Sequence, residues 1–249
     1  MKINKIFLKR SFFITLFLTV IISFIFFIPN NEKTSICKTD RISDIEGNTY
    51  EIIDIGERCW MAENLKTTRF SDGSKIPKPI SNESWREAGN KNKGAYACYD
   101  NSKENCDIYG ALYNIYAVNK GICPKGWYVP TDDDWKEFER EMGISEEEID
   151  LIYWRGENIA TKIAGEAELW KDKNIGERRN FNEYGFRAVP GGYRLSSGIY
   201  SWIGHRANFW SSTLDVSGWR RTIIPGSSEG IRRTAAAKNM GFSVRCIQK

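Results

Sequence analysis

Six cysteines set behind a basic and then apolar leader constrain this chain more than any other feature of its sequence. Lys2, Lys5, Lys9 and Arg10 precede an uncharged run from Ser11 to Ile28 that is rich in Phe, Ile and Leu. A basic start followed by such a run is an export signal, with its N-terminus held on the cytoplasmic side. The 18-residue run reaches the lower limit for a membrane-spanning helix, and no Ala-x-Ala-like cleavage site follows it. Residues 1–28 are therefore read as a single-pass anchor or as a signal peptide, with membrane contact through residues 11–28. Either way the remainder is exported, to be held at the membrane or secreted, and its cysteines are read first as disulfides. Six cysteines allow 15 pairings, so connectivity stays open. Cys98 and Cys106, eight residues apart around a polar loop, form a local candidate.

Charge sorts the same way. Residues 1–37 carry five basic residues and one acidic, so the formal +4 of the whole chain belongs to the leader. Residues 38–249 balance at 31 of each sign, which leaves no basic face to suggest a nucleic-acid partner. The pairs Arg178-Arg179, Arg220-Arg221 and Arg232-Arg233 are scattered along the sequence. Residues 29–40 read as a short polar tether and 41–249 as one domain, long enough for a sizeable core.

Within that domain, Thr49 to Ile55 is β-forming, Gly56-Glu57 turns the chain, and Arg58 to Ala62 returns as the second strand of a hairpin. Residues 71–95, with Asp72-Gly73, Pro77 and Pro79, read as loop. Ala95 to Tyr99 reads as a strand, followed by a polar loop from Asp100 to Asn105. Thr131 with Asp134 approximates a capping box, and Trp135, Phe138 and Met142 make one apolar helical stripe before Gly143. Asp132-Asp133-Asp134 reads as a solvated helix start, favourable to the helix dipole. Ser145 with Glu148 predicts a second helical piece and Glu157 to Ala164 a third. From Phe186 onward short apolar pieces alternate with Gly, Ser and Asn, a pattern of strands and long loops. Helices early and strands late make an α+β fold.

Seven motifs then occur in order: Trp60 to Leu65, Tyr109 to Asn114, Cys123-Pro124-Lys125-Gly126-Trp127, Val129 to Asp132, Pro190 to Arg194, Trp210 to Thr213, and Ser243-Val244-Arg245-Cys246. Together they resemble the Fibrobacter succinogenes major paralogous domain, over roughly residues 40–248. That family is itself similar to the C-type lectin-like fold, which includes the formylglycine-generating enzymes. The resemblance implies a disulfide-closed α+β domain with long loops, whose N- and C-terminal strands pair. It also implies a bridge between Cys123 and Cys246, leaving Cys37 and Cys59 to pair or stay free. It implies no established activity.

The chemistry of the residues is sparse. His205 is the only histidine, which excludes a multi-histidine metal site and weakens Ser-His or Cys-His catalysis. The paired late thiols of a copper-dependent oxidase are missing, because no cysteine lies between Cys123 and Cys246. Neither the Glu-Pro-Asn nor the Trp-Asn-Asp signature of calcium-dependent sugar binding occurs, and no metal or other cofactor is expected. Aromatics are the remaining candidates, since exposed rings stack on sugars and anchor interfaces. Trp60, Trp127, Trp135 and Trp210 lie in motifs with core periodicity, whereas Trp85, Trp154, Trp202 and Trp219 lie in loop-like stretches and are the expected binding residues. The sequence thus reads as an exported, non-enzymatic cell-surface binding or scaffolding module for a glycan or protein ligand. An extracellular polysaccharide hydrolase and a purely structural surface protein are the alternatives.

Overall fold

The computed structural model describes residues 35–226 and 228–249. The leader, with its anchor or signal segment, lies outside the described residues. Among those described, no helix is long and apolar enough to cross a membrane.

In chain order the strands are β1 (Arg41–Ser43), β2 (Thr49–Ile55), β3 (Arg58–Met61), β4 (Tyr96–Ala97), β5 (Leu112–Tyr113), β6 (Trp127–Tyr128) and β7 (Tyr153–Arg155). They continue with β8 (Gly191–Arg194), β9 (Tyr200–Ile203), β10 (Ala207–Leu214), β11 (Gly218–Ile224), β12 (Ser228–Ala236) and β13 (Ile247–Gln248). The helices are α1 (Asn82–Asn90), α2 (Lys103–Tyr109), α3 (Ile115–Lys120), α4 (Asp132–Glu141) and α5 (Ile159–Ile163). Helices and short strands alternate between β3 and α5, β8 to β13 follow without an α-helix, and every pairing of these strands is antiparallel, which is an α+β arrangement.

The hairpin forms where the alternation and turn residues place it. Ile53 pairs with Trp60 and Ile55 with Arg58, and Gly56 takes the left-handed conformation that the tight turn requires (φ +62°). The last strand, β13, then inserts beside β3, giving the sheet order β1-β2-β3-β13-β6. Ile247 faces Trp60 on one side and Tyr128 on the other, so the two ends of the domain share one sheet. Three disulfides close the unit: Cys123–Cys246 across 123 residues, Cys98–Cys106, and Cys37–Cys59, which ties the segment before β1 to β3. Disulfides at this density belong to an oxidising compartment.

Arg245, one residue before the stapling cysteine and two before β13, is a charged residue held in the core. Its guanidinium is fully buried and donates to the carbonyls of Met61 (3.0 Å), Phe186 (2.6 Å) and Arg187 (3.0 Å) and to Asn64 Oδ1 (2.6 Å). Carbonyl dipoles thus replace its water shell, although burial still pulls its pKa down to about 9.

Helix α4 starts at a full capping box between Thr131 and Asp134. It buries Trp135 and Phe138, with Met142 at its C-cap, against Trp60, Phe186 and Phe209. The rings meet edge-on or tilted, with centroids 5.0 Å apart for Trp60–Trp135 and 4.9 Å for Phe138–Phe186, a favoured geometry for aromatic quadrupoles. Trp60, Trp127, Trp135 and Trp210 are all buried.

Several expectations are corrected. Helix α1 occupies part of the predicted 71–95 loop, because the Ser81 hydroxyl accepts the Ser84 amide and Trp85 packs inward. Trp85 is only 1 % exposed and donates its indole N–H to the Asn239 carbonyl, so it is a core residue with no ring face to offer a ligand. Helix α2 replaces much of the Asp100–Asn105 loop, capped by Ser102. Ser145 to Asp150 forms turns, not a helix. Strand β12 was not anticipated at all.

Candidate binding face

The second large sheet, ordered β10-β11-β12-β7, carries the chain's densest chemistry. Arg221 pairs with Arg233 across β11 and β12, Thr222 with Arg232, and Arg220 with Thr234. Residues directly opposite one another share a face, and neighbours along a strand alternate. Each Arg-Arg dipeptide therefore sends one guanidinium to each side of the sheet, and two pairs that are far apart in sequence become two clusters in space.

On the inner side, Arg155, Arg221 and Arg233 meet the acids of α4. Asp132 accepts from Arg221 Nη1 and from Arg233 Nη2, each at 2.6 Å. Glu139 accepts from Arg221 Nε (2.5 Å) and Arg155 Nη2 (2.8 Å) with no exposed surface on either partner of the latter pair. Burial pushes the Asp132 carboxyl up, but hydrogen bonds from Arg233 and the charge of Arg221 outweigh it and hold the pKa at about 2. The expected solvated helix start is corrected here: Asp132 and Asp134 are buried, and the ion-pair network explains Asp132 where a helix dipole would not.

The opposite side is built differently. Arg206, Arg220 and Arg232 gather there, and among the described residues none of the three forms an ion pair with a carboxylate. Arg220 reaches only the Thr234 hydroxyl (3.3 Å) and Asn208 Oδ1 (3.4 Å), and lies over the Phe242 ring at 4.9 Å. Burial, then the charge of Arg232 and also that of Arg206, lower its pKa to about 10, so the three guanidinia sense one another. The buried Nε groups of Arg206 and Arg232 find no hydrogen-bond acceptor.

Aromatic rings flank this cluster. Arg206 stacks 3.8 Å from the Trp202 ring centroid, and Arg232 lies 5.4 Å from Tyr153 and 5.9 Å from Trp154. Trp154 is 38 % exposed, Trp202 46 % and Tyr153 56 %. Tyr153 (φ +75°) and Trp202 (φ +67°) both hold left-handed backbone, which costs a bulky residue about 1–3 kcal/mol and concentrates at functional positions.

The sequence-predicted tryptophans are thus only partly brought together. Trp154 and Trp202 stand at the margins of the arginine cluster. Trp219 falls in register with Ala235, on the side of Arg221, and its ring lies beneath the Arg233 guanidinium at 4.0 Å, so it belongs to the opposite face. The arginines were missed because dipeptides that read as scattered become neighbours only once strands pair. The signal was present in the repeated Arg-Arg-Thr at 220–222 and 232–234.

A separate cleft of about 420 Å³ is lined by residues that include Glu63, Asp107, Glu166, Glu168, Arg187 and Arg245. Its acids are largely engaged. Glu166 pairs with Arg187 (3.0 Å), Asp107 with Lys103 (2.6 Å), and Glu63 accepts the Glu51 amide (3.1 Å). His205 is exposed and packs edge-on against Trp202 at 5.7 Å. Among the described residues, no group of three or more His, Cys, Asp or Glu side chains gathers as a metal site.

The family model of the Fibrobacter succinogenes major domain matches residues 53–248. No curated protein and no solved structure matches the chain.

Proposed function

The chain belongs to the Fibrobacter succinogenes major domain family, and from that premise we propose that it is an exported, non-catalytic binding module that meets its ligand through the face carrying Trp154 and Trp202. The observation that carries this reading is the pairing of exposed, partly strained aromatic rings with a rigid sheet and a disulfide-closed frame. Side chains fixed on strands and already turned outward lose little entropy on binding, which favours recognition by a preformed surface. The ligand class is a glycan chain, for which indole faces are natural platforms.

A C-type lectin-like fold is part of the proposal. Its supports are the shared sheet of the two chain ends, the long bridge to the last strand, and the loop-rich region between them. Display outside the cytoplasm, either membrane-held through residues 11–28 or secreted, is supported by the disulfides. The hydrolase alternative gains less. Carboxyls displaced from their ordinary range, such as Asp132, Asp150 and Glu46, move down, as ion-paired or hydrogen-bonded acids do and a general acid does not.

Screening the full chain against an immobilised polysaccharide panel tests the reading. Trp154→Ala and Trp202→Ala should each weaken the bound glycan by about 2 kcal/mol, roughly 30-fold, with the melting temperature unchanged. Equal binding by the double variant would remove this face from consideration.

A further inference from the structure

The two sides of one sheet handle the same charge in opposite ways. Inside, Arg155, Arg221 and Arg233 share the two carboxylates of Asp132 and Glu139 at 2.5–2.8 Å. On the other face, Arg206, Arg220 and Arg232 form no ion pair among the described residues, yet all three are at least half-buried. Like charges held together in a partly desolvated place repel, and a buried N–H without an acceptor costs free energy. Within the fold only the ring contacts and the two hydrogen bonds of Arg220 offset that cost.

We infer that Arg206, Arg220 and Arg232 form an oxyanion site, and that the ligand is an acidic polysaccharide bearing carboxylate or sulfate groups. The inference deepens the binding-face reading and rests on it. Three features point this way. A guanidinium stacked on a ring, as Arg206 is on Trp202 at 3.8 Å, keeps its N–H edges pointing outward in its own plane, where a planar or tetrahedral oxyanion accepts two of them. With their Nε groups buried, Arg206 and Arg232 offer a ligand their terminal Nη groups, which make no hydrogen bond among the described residues. Arg220 sits between the other two in effect, since after burial the charges of Arg232 and Arg206 act on it and lower its pKa. Carbohydrate fits better than an acidic protein or nucleic acid, because the exposed Trp154 and Trp202 offer stacking faces to sugars on either side of the anion. The chain's remaining charge is balanced and gives no extended basic track.

Binding of the full chain to polygalacturonate, dextran sulfate, neutral dextran and a single-stranded DNA oligomer tests the inference. The expected result is binding to one or both acidic polysaccharides, weakening by roughly tenfold between about 50 and 200 mM salt. The carboxylate and sulfate arms identify the group. Arg206→Gln and Arg232→Gln should each lose about tenfold or more, while the exposed control Arg41→Gln loses nothing. Arg206→Lys with Arg232→Lys keeps the charge and the fold but removes the forks, and should fall between wild type and the Gln variants. Acidic-polymer binding at full strength in both Gln and Lys variants overturns the site. Dextran binding that needs the tryptophans but not the arginines overturns the oxyanion site while sustaining the aromatic face. Tightest binding to DNA overturns the glycan assignment, and no binding to any polymer overturns both readings.

Discussion

Replacing Cys123 and Cys246 together with alanine removes the bridge that returns the last strand to the centre of the first sheet. The two cysteines lie 123 residues apart, and chain-entropy reasoning gives about 5 kcal/mol for closing a loop of that length. The same reasoning gives about 2.5 kcal/mol for Cys98–Cys106, separated by 8 residues, and about 3.4 kcal/mol for Cys37–Cys59, separated by 22. For a domain of this size each kcal/mol moves the melting temperature by about 2–4 °C, so the long bridge is worth roughly 10–20 °C. The loss should also be felt locally, since the Cys246 carbonyl accepts the Met61 amide at 3.0 Å and β13 sits between β3 and β6. Calorimetry on three paired Cys→Ala variants under non-reducing conditions reads the ranking directly. Destabilisation must follow Cys123–Cys246, then Cys37–Cys59, then Cys98–Cys106. A long-bridge variant that melts within a few degrees of wild type, or above the short-bridge variant, would refute the argument that this bridge frames the fold.

The inner charge network gives further expectations. Glu139→Gln leaves Arg155 and Arg221 buried against a neutral amide and should cost about 3–5 kcal/mol in urea unfolding. Asp132 titrates near 2 in the folded state against an ordinary 3.8, so its contribution of about 2 kcal/mol is complete above pH 4 and fades as pH falls from there toward 2. Asp132→Asn should flatten that part of the stability–pH curve, and an unchanged slope would show that the carboxylate is not held by Arg221 and Arg233. Phe138→Ala, at the centre of the ring cluster around Trp60 and Phe186, should cost about 3–5 kcal/mol in the same assay.

Local chemistry was the most legible part of the sequence. The β2–β3 hairpin, the Thr131 capping box and the Trp135–Phe138 stripe depend on residues within a few positions of one another, and the structure holds them as read. Tertiary context decided the rest. Ser81 could not be distinguished from any other loop serine until Trp85 was seen to pack inward. Asp132 looked like a solvated cap residue because its partners stand 89 and 101 positions later. The same distance hid the binding face. Trp154 and Trp202 were legible as aromatics outside core patterns, but the arginines between them became a cluster only through the Thr222–Arg232 and Arg220–Thr234 register. Strand β12 escaped because Arg232-Arg233-Thr234-Ala235-Ala236 lacks the apolar alternation of a strand with one wet face.

Radical footprinting of the full chain, with and without saturating polygalacturonate, reports which surface a ligand covers. Oxidation of Trp154, Trp202 and Tyr153 should fall on binding, while exposed Ile108, beside the Glu166–Arg187 cleft, stays unchanged. Protection of Ile108 and Leu169 with no change at the two tryptophans would move the working surface away from the arginine cluster to that cleft.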